Sequence, residues 1–168
     1  LGPTADLSDL QNQIDAIRIV HEKLYESEDI TFIEASDYFS ELLDSIFSSF
    51  SMTPVSIEKN IEELSLHTRK VVPLGLIINE IATNAIKHGF TPGEPAWFRI
   101  TFYRNEAEKQ HTLVLSHSGK PFPDHISLDN PDTLGLRLIS ALVEQLKGTI
   151  ELTRSPQPVF TITFFDRY

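Results

Sequence analysis

Apolar residues recur at helical spacing through the first fifty positions. Leu7, Leu10, Ile14, Ile17 and Leu24, with Val20 and Tyr25 beside them, form one stripe along DLSDLQNQIDAIRIVHEKLYESED and predict an amphipathic helix. Through TFIEASDYFSELLDSIFSSF, residues Phe32, Ile33, Tyr38, Phe39, Leu42, Leu43, Ile46, Phe47 and Phe50 repeat the pattern and predict a second helix, closed by Pro54. VSIEKNIEEL reads as a strand. A long third helix follows over VVPLGLIINEIATNAIKHGF, with Pro73 placed in its first turn and Gly89 as its capping glycine. Behind the loop TPGEP, the segments WFRITFYR and HTLVLSHS flank the polar turn NEAEKQ as a hairpin. The proline-rich stretch GKPFPDHISLDNPD is a loop, TLGLRLISALVEQLK a helix ended by Gly148, and TIELTR with VFTITFFDR a last strand pair around SPQP. Strands gathered in the second half with helices beside them predict an α+β chain, a two-layer α/β sandwich on one mixed or antiparallel sheet.

The third helix carries an unusual stripe. Glu80, Asn84, Lys87 and His88 stand at i, i+4, i+7 and i+8, so a regular helix puts all four on one face. Ile77, Ile78, Ile81, Ala85 and, less centrally, Ile86 face the other way and can enter a core. Taken by itself such a stripe is a solvated helix face. Gly135 in TLGL, taken by itself, is an ordinary junction between loop and helix, although free N–H groups at a helix start can also bind phosphate.

Composition narrows the options. The 168 residues suit one domain, or one domain with a short appended element, and no apolar run reaches the roughly 20 residues of a membrane span. Absence of cysteine removes disulfides and thiolate metal sites and fits a reducing cytoplasm. A formal charge of -10 without a Lys/Arg cluster argues against a nucleic-acid-binding surface. Nucleotide binding stays open to an acidic chain, given a local donor set and a divalent cation. The histidines at 67, 111 and 125 fall at loops or strand ends without zinc-ligand spacing.

PLGLIINEIATNAIKHGF resembles the asparagine-rich box of bacterial sensor histidine kinases of the HisKA_2/HWE-like subgroup. AIRIVHEKLYESED is similar to the helix that precedes their ATP-binding domain, and DTLGLRLISALVEQLKGTIEL to their lid and following helix. The resemblance runs from about Leu10 to Phe165. It implies a Bergerat-type (GHKL) ATP-binding sandwich over residues 31–168. Residues 1–30 would then be the C-terminal part of a dimerisation and phosphotransfer bundle. It further implies Mg²⁺ and ATP as ligands, a response regulator as partner, a homodimer through the N-terminal helix, and a cytoplasmic location without membrane contact. Asn84 would supply an amide oxygen to Mg²⁺, a hard cation that keeps most of its waters. Glu80 would accept from a metal-bound water or take part in proton movement. Lys87 and His88 would meet phosphate oxygens, and Leu134, Gly135 and Leu136 would form the phosphate-facing start of the last helix.

Two departures accompany the likeness. Where the family carries DNGxG, this chain has HSGKP: His117 replaces the acid that receives the adenine amino group, Gly119 keeps the first glycine, and Pro121 replaces the second. A neutral imidazole can accept through one nitrogen but lacks the charge of a carboxylate, so adenine binding is expected to weaken. The family's acceptor string HRxKNxL is absent, and His21, followed by Glu22, sits in the context of an ordinary helix after the acceptor. Three readings follow: a catalytic ATP-binding region that phosphorylates a histidine outside this chain, a degenerate dimerisation or regulator-docking module, and another ATP-consuming member of the same fold, such as an anti-sigma serine kinase or a chaperone-type ATPase. HEKLYESED disfavours the third. The loop around DNPDTLGL is expected to close over nucleotide.

Overall fold

The computed structural model describes residues 31–49 and 54–166, and in the N-terminal segment positions 7, 10, 11, 14, 15, 17–19 and 22. Those N-terminal positions are helical, with Ile19 buried and Leu7, Leu10, Ile14 and Ile17 each more than half exposed. Elements then run β1 (Phe32–Glu34), α1 (Ala35–Ser48), β2 (Val55–Ile61), β3 (Ser65–His67), α2 (Thr68–Asn84) and a π-helical turn (Ala85–Gly89). They continue as β4 (Ala96–Asn105), β5 (Gln110–His117), α3 (Leu134–Gln145), β6 (Thr149–Thr153) and β7 (Val159–Phe165).

Five strands form one mixed sheet in the order β2-β4-β5-β7-β6, with β2 parallel to β4 and every other pair antiparallel. Register aligns Phe98 with His117, Ile100 with Leu115 and Phe102 with Leu113. The next pair carries Leu113 to Ile162 and Leu115 to Phe160. This alternation gives the sheet one apolar face, and the helices cover it. Phe39 of α1 meets Phe102 edge-on at 5.4 Å, and Phe47 lies 5.3 Å from Phe98. Helix α2 buries Val71, Leu74, Ile77, Ile78 and Ile81, while α3 buries Leu136, Ile139, Leu142 and Val143. Each such side chain contributes about 2 kcal/mol on leaving water. Gly75 lets α2 seat on Tyr38, whose hydroxyl would occupy the space of a Cβ.

Four local expectations change. Phe32 and Ile33 are strand rather than helix, because Phe32 pairs with His67 and Ile33 with Leu66 in a two-stranded ribbon. Helix α2 starts at Thr68, where His67 Nδ1 accepts from the Arg69 N–H at 3.1 Å, so Pro73 lies in its second turn. Its missing N–H would have faced the carbonyl of exposed Arg69, which water can satisfy. Gly89 is no left-handed cap, since Gly93 is the one positive-φ glycine among the described residues. The segment ends through the five-residue bond from Phe90 N–H to Ala85 O at 2.8 Å. At the end of α3, Lys147 takes the left-handed conformation (φ 53). Gly148 follows it, donating to Val143 O in a Schellman closure and packing against Thr163 O too closely for any Cβ.

Candidate functional site

Two clusters flank the segment from Glu80 to Gly89. In the first, Glu80 is only 5% exposed on α2, and its carboxylate lies against the first turn of α3. A Cβ at Gly135 would fall 2.7 Å from Glu80 Oε2, so glycine is what allows this approach. Thr133 caps α3 by accepting from the Leu136 N–H at 3.3 Å. An anion beside a helix N-terminus is electrostatically favourable. The same anion opposes a phosphate arriving at those N–H groups unless a cation joins it. Leu134 and Leu136 divide as neighbours on a helix start must: Leu134 is 79% exposed and Leu136 is buried. Asn84, one turn after Glu80, is half-buried at the end of α2.

The π turn alters the rest of the stripe. Its wider spacing carries Lys87 and His88 off the line that a regular helix would give them, leaving Lys87 half-buried and His88 exposed. A reading from the 3.6-residue period groups Glu80 with Asn84 but cannot anticipate this change.

In the second cluster, His117 ends β5 and is 5% exposed. Its Nδ1 accepts from the Gly119 N–H at 3.1 Å. The ring stacks parallel to Phe98 at 6.4 Å and meets Phe90 edge-on at 5.6 Å. Burial drives its pKa from 6.5 down to about 4, so the imidazole is neutral at physiological pH. A neutral ring that accepts through Nδ1 carries its proton on Nε2. What His117 can offer a purine in this arrangement is therefore a donor. Gly89 and Gly119 close the cluster. A Cβ at Gly89 would lie 3.0 Å from His117 Cε1, and one at Gly119 would lie 2.7 Å from both Gly89 C and His117 Nδ1. The Lys120 N–H donates to Gly89 O at 3.0 Å, tying the strand end to the π turn. Sequence reasoning had Gly119 but missed that Gly89, Phe90 and Phe98 surround His117, because these are contacts across the fold.

The intervening loop is partly anchored. Phe122 meets Phe160 edge-on at 5.7 Å, Arg154 Nη1 donates to Pro123 O at 2.7 Å, and Ser140 Oγ donates to Leu128 O at 3.2 Å. Residues 129–133 are mostly exposed. His21 lies outside the described residues.

Residues 4–50 match the family HisKA_2, described as histidine kinase. The chain is 26% identical over 141 residues to the sensor histidine kinase PdtaS of Mycobacterium tuberculosis, a match covering 82% of this chain and 28% of that protein. It is 30% identical over 89 residues to blue-light-activated histidine kinase 1 of Erythrobacter litoralis, covering 53% of this chain and 24% of that one. The histidine kinase domain of the Erythrobacter litoralis EL346 blue-light-activated kinase superposes with a TM-score of 0.84 at 17% identity, over 93% of this chain and 74% of that domain. The fold is that of a histidine-kinase ATP-binding domain. The chain is similar to sensor histidine kinases and spans about a quarter of the length of the two curated relatives. Among the described residues no helix is long and apolar enough to cross a membrane.

Proposed function

We propose that this chain is the ATP-binding catalytic region of a two-component sensor histidine kinase, which binds Mg-ATP between the Glu80–His88 segment and the start of α3 and delivers the γ-phosphoryl group to a histidine outside this chain. The observation that carries the reading is the contact of Glu80 with Gly135, which brings the acid-and-amide face of α2 to the open turn of a second helix. Glu80 and Asn84 offer the oxygen donors that a hard divalent cation takes, so the residues present fit Mg²⁺. When bound there, the ion supplies charge neutralisation for the phosphates. Asn84 would hold it directly and Glu80 would orient a water or hold a proton, while Lys87, His88 and the backbone of Leu134, Gly135 and Leu136 would position phosphate oxygens. Gly119 and the Nε2–H of His117 would border the base.

Residues 1–30 fit the C-terminal part of a dimerisation and phosphotransfer bundle. The exposed series Leu7, Leu10, Ile14, Ile17 has the 3-4-3 spacing of a bundle seam, and a second copy of the chain would cover it. Kinship with sensor histidine kinases supports a response regulator as the downstream partner and a cytoplasmic setting.

One observation favours a second reading, a degenerate docking module: Phe90, Phe98, Gly89 and Gly119 already fill the surroundings of His117. The two readings separate in a transfer assay. With γ-labelled ATP, Mg²⁺ and a separately supplied acceptor bundle, the catalytic reading gives acid-labile, base-stable label on histidine that Asn84→Ala removes. Label absent from the wild type, while the fold is intact by circular dichroism, sinks the catalytic reading and leaves the module.

A further inference from the structure

A cavity of about 300 Å³ lies at the end of the sheet away from His117. His111 lines it and His117 does not, and the two stand six positions apart along β5, about 20 Å. Leu64, Leu66, Phe164 and Phe165 provide apolar walls. The polar groups are Ser65 and His67 from β3, Lys70 from the first turn of α2, Arg104 from β4, His111 from β5 and Asp166 after β7. This volume is at the lower end for small-molecule sites, and the mixture of apolar walls with a few converging polar groups is their usual composition.

The charges in the cavity do not balance. Arg104 is satisfied: its Nε lies 2.9 Å from Asp166 Oδ2 and its Nη1 lies 2.6 Å from Glu106 Oε1. Lys70 is the remaining lining Lys or Arg. Among the described residues it has no carboxylate partner, only the Leu146 carbonyl at 3.4 Å and the Phe164 ring centre at 5.6 Å. Burial and nearby Lys147 press its ammonium pKa down, partly offset by Asp166, which is the condition of a cation short of negative charge. His111 supplies a second, independent sign. It is 4% exposed and stacked between Phe102 at 5.8 Å and Phe164 at 5.0 Å. Its Nδ1 is 3.0 Å from Asp166 Oδ1, an ion pair only if the ring is protonated, and Nδ1 makes no hydrogen bond. A buried polar atom left in this way is costly unless a ligand completes it.

We propose that this cavity is a second ligand site, taking a small monocarboxylate with an apolar body. The carboxylate pairs with Lys70 and reaches toward His111, and the body rests on Leu66, Phe164 and Phe165. One uncompensated cation suits a monoanion better than a phosphate dianion, and the apolar walls favour an aromatic or short aliphatic acid over acetate. The site shares no residue with the candidate nucleotide site, so neither proposal depends on the other.

The test titrates the ¹⁵N-labelled chain with sodium benzoate, and in parallel with benzamide as its neutral counterpart, following amide resonances by NMR. Expected are saturable shifts confined to residues 64–70, 104, 111 and 164–166, none of comparable size with benzamide, loss in Lys70→Met and retention in Lys70→Arg. Phe165 is partly exposed, so Phe165→Ala should fold normally and weaken benzoate binding several-fold even if Lys70→Met proves unstable. Absence of saturable shifts up to the order of 10 mM benzoate overturns the proposal. Equal shifts with benzamide, or shifts that persist in Lys70→Met, overturn it as well.

Discussion

Lowering the pH from 7 to 5 should destabilise this fold through His117 specifically. The ring is buried, stacked on Phe98 and edge-on to Phe90, and its pKa falls from 6.5 to about 4. The unfolded chain therefore takes up a proton near pH 6.5 that the folded chain refuses until near pH 4. In that window the unfolded state binds more protons, so stability falls with decreasing pH. The difference between pH 7 and pH 5 is about 2 kcal/mol, or roughly 5 °C in Tm for a domain of this size. His111 is held down in the same direction by burial, so the wild-type slope alone does not isolate His117. The assay is urea unfolding of wild type and His117→Gln at pH 7, 6 and 5. His117→Gln should start less stable, having lost two ring contacts, and should lose about 2 kcal/mol less than wild type over the range. Parallel stability-versus-pH curves for the two proteins would refute the reasoning, because they would mean that His117 protonates as easily folded as unfolded.

Three further outcomes follow from the same geometry. Gly119→Ala places a Cβ 2.7 Å from backbone carbon of Gly89 and from His117 Nδ1. It should cost about 1–3 kcal/mol in chemical denaturation, and a wild-type midpoint would show that this contact is not tight. Gly135→Ala meets the Glu80 carboxylate at 2.7 Å but also gains helix propensity. Its Tm should therefore stay near wild type while calorimetric Mg-ATP affinity drops about tenfold or more; unchanged affinity would separate Gly135 from the site. Limited proteolysis should cut the exposed 129–133 segment, and saturating Mg-ATP should protect it. Identical digestion with and without nucleotide would contradict closure of the loop.

The apolar side of α2 was legible in the sequence because burial there follows the helical period, and Ile77, Ile78, Ile81 and Ala85 are all buried. The β4–β5 hairpin was legible because NEAEKQ is a strong local turn signal between two strand-like runs. What escaped is what depends on distant partners. The β1–β3 ribbon joins three-residue strands from positions far apart, and nothing local in TFIE opposes helix. The π turn breaks the period on which the four-residue stripe was read, so Glu80 and Asn84 keep their grouping while Lys87 and His88 turn aside. Gly89 looked like a cap because glycine follows a helical run, yet it is small to admit His117. The substitution at His117 was visible, but its tautomer was not, since that is set by the Gly119 N–H. Lys70, Arg104 and His111 gave no sequence signal at all, because three elements bring them to one cavity.

Calorimetric titration of the chain with ATP, with and without Mg²⁺, tests the central claim most directly when run beside Asn84→Ala and His117→Asp. The account predicts magnesium-dependent binding to the wild type, loss of that binding in Asn84→Ala, and tighter binding in His117→Asp, where a carboxylate restores an acceptor for the adenine amino group. No heat at millimolar ATP for either the wild type or His117→Asp would contradict it and leave the fold as a docking module.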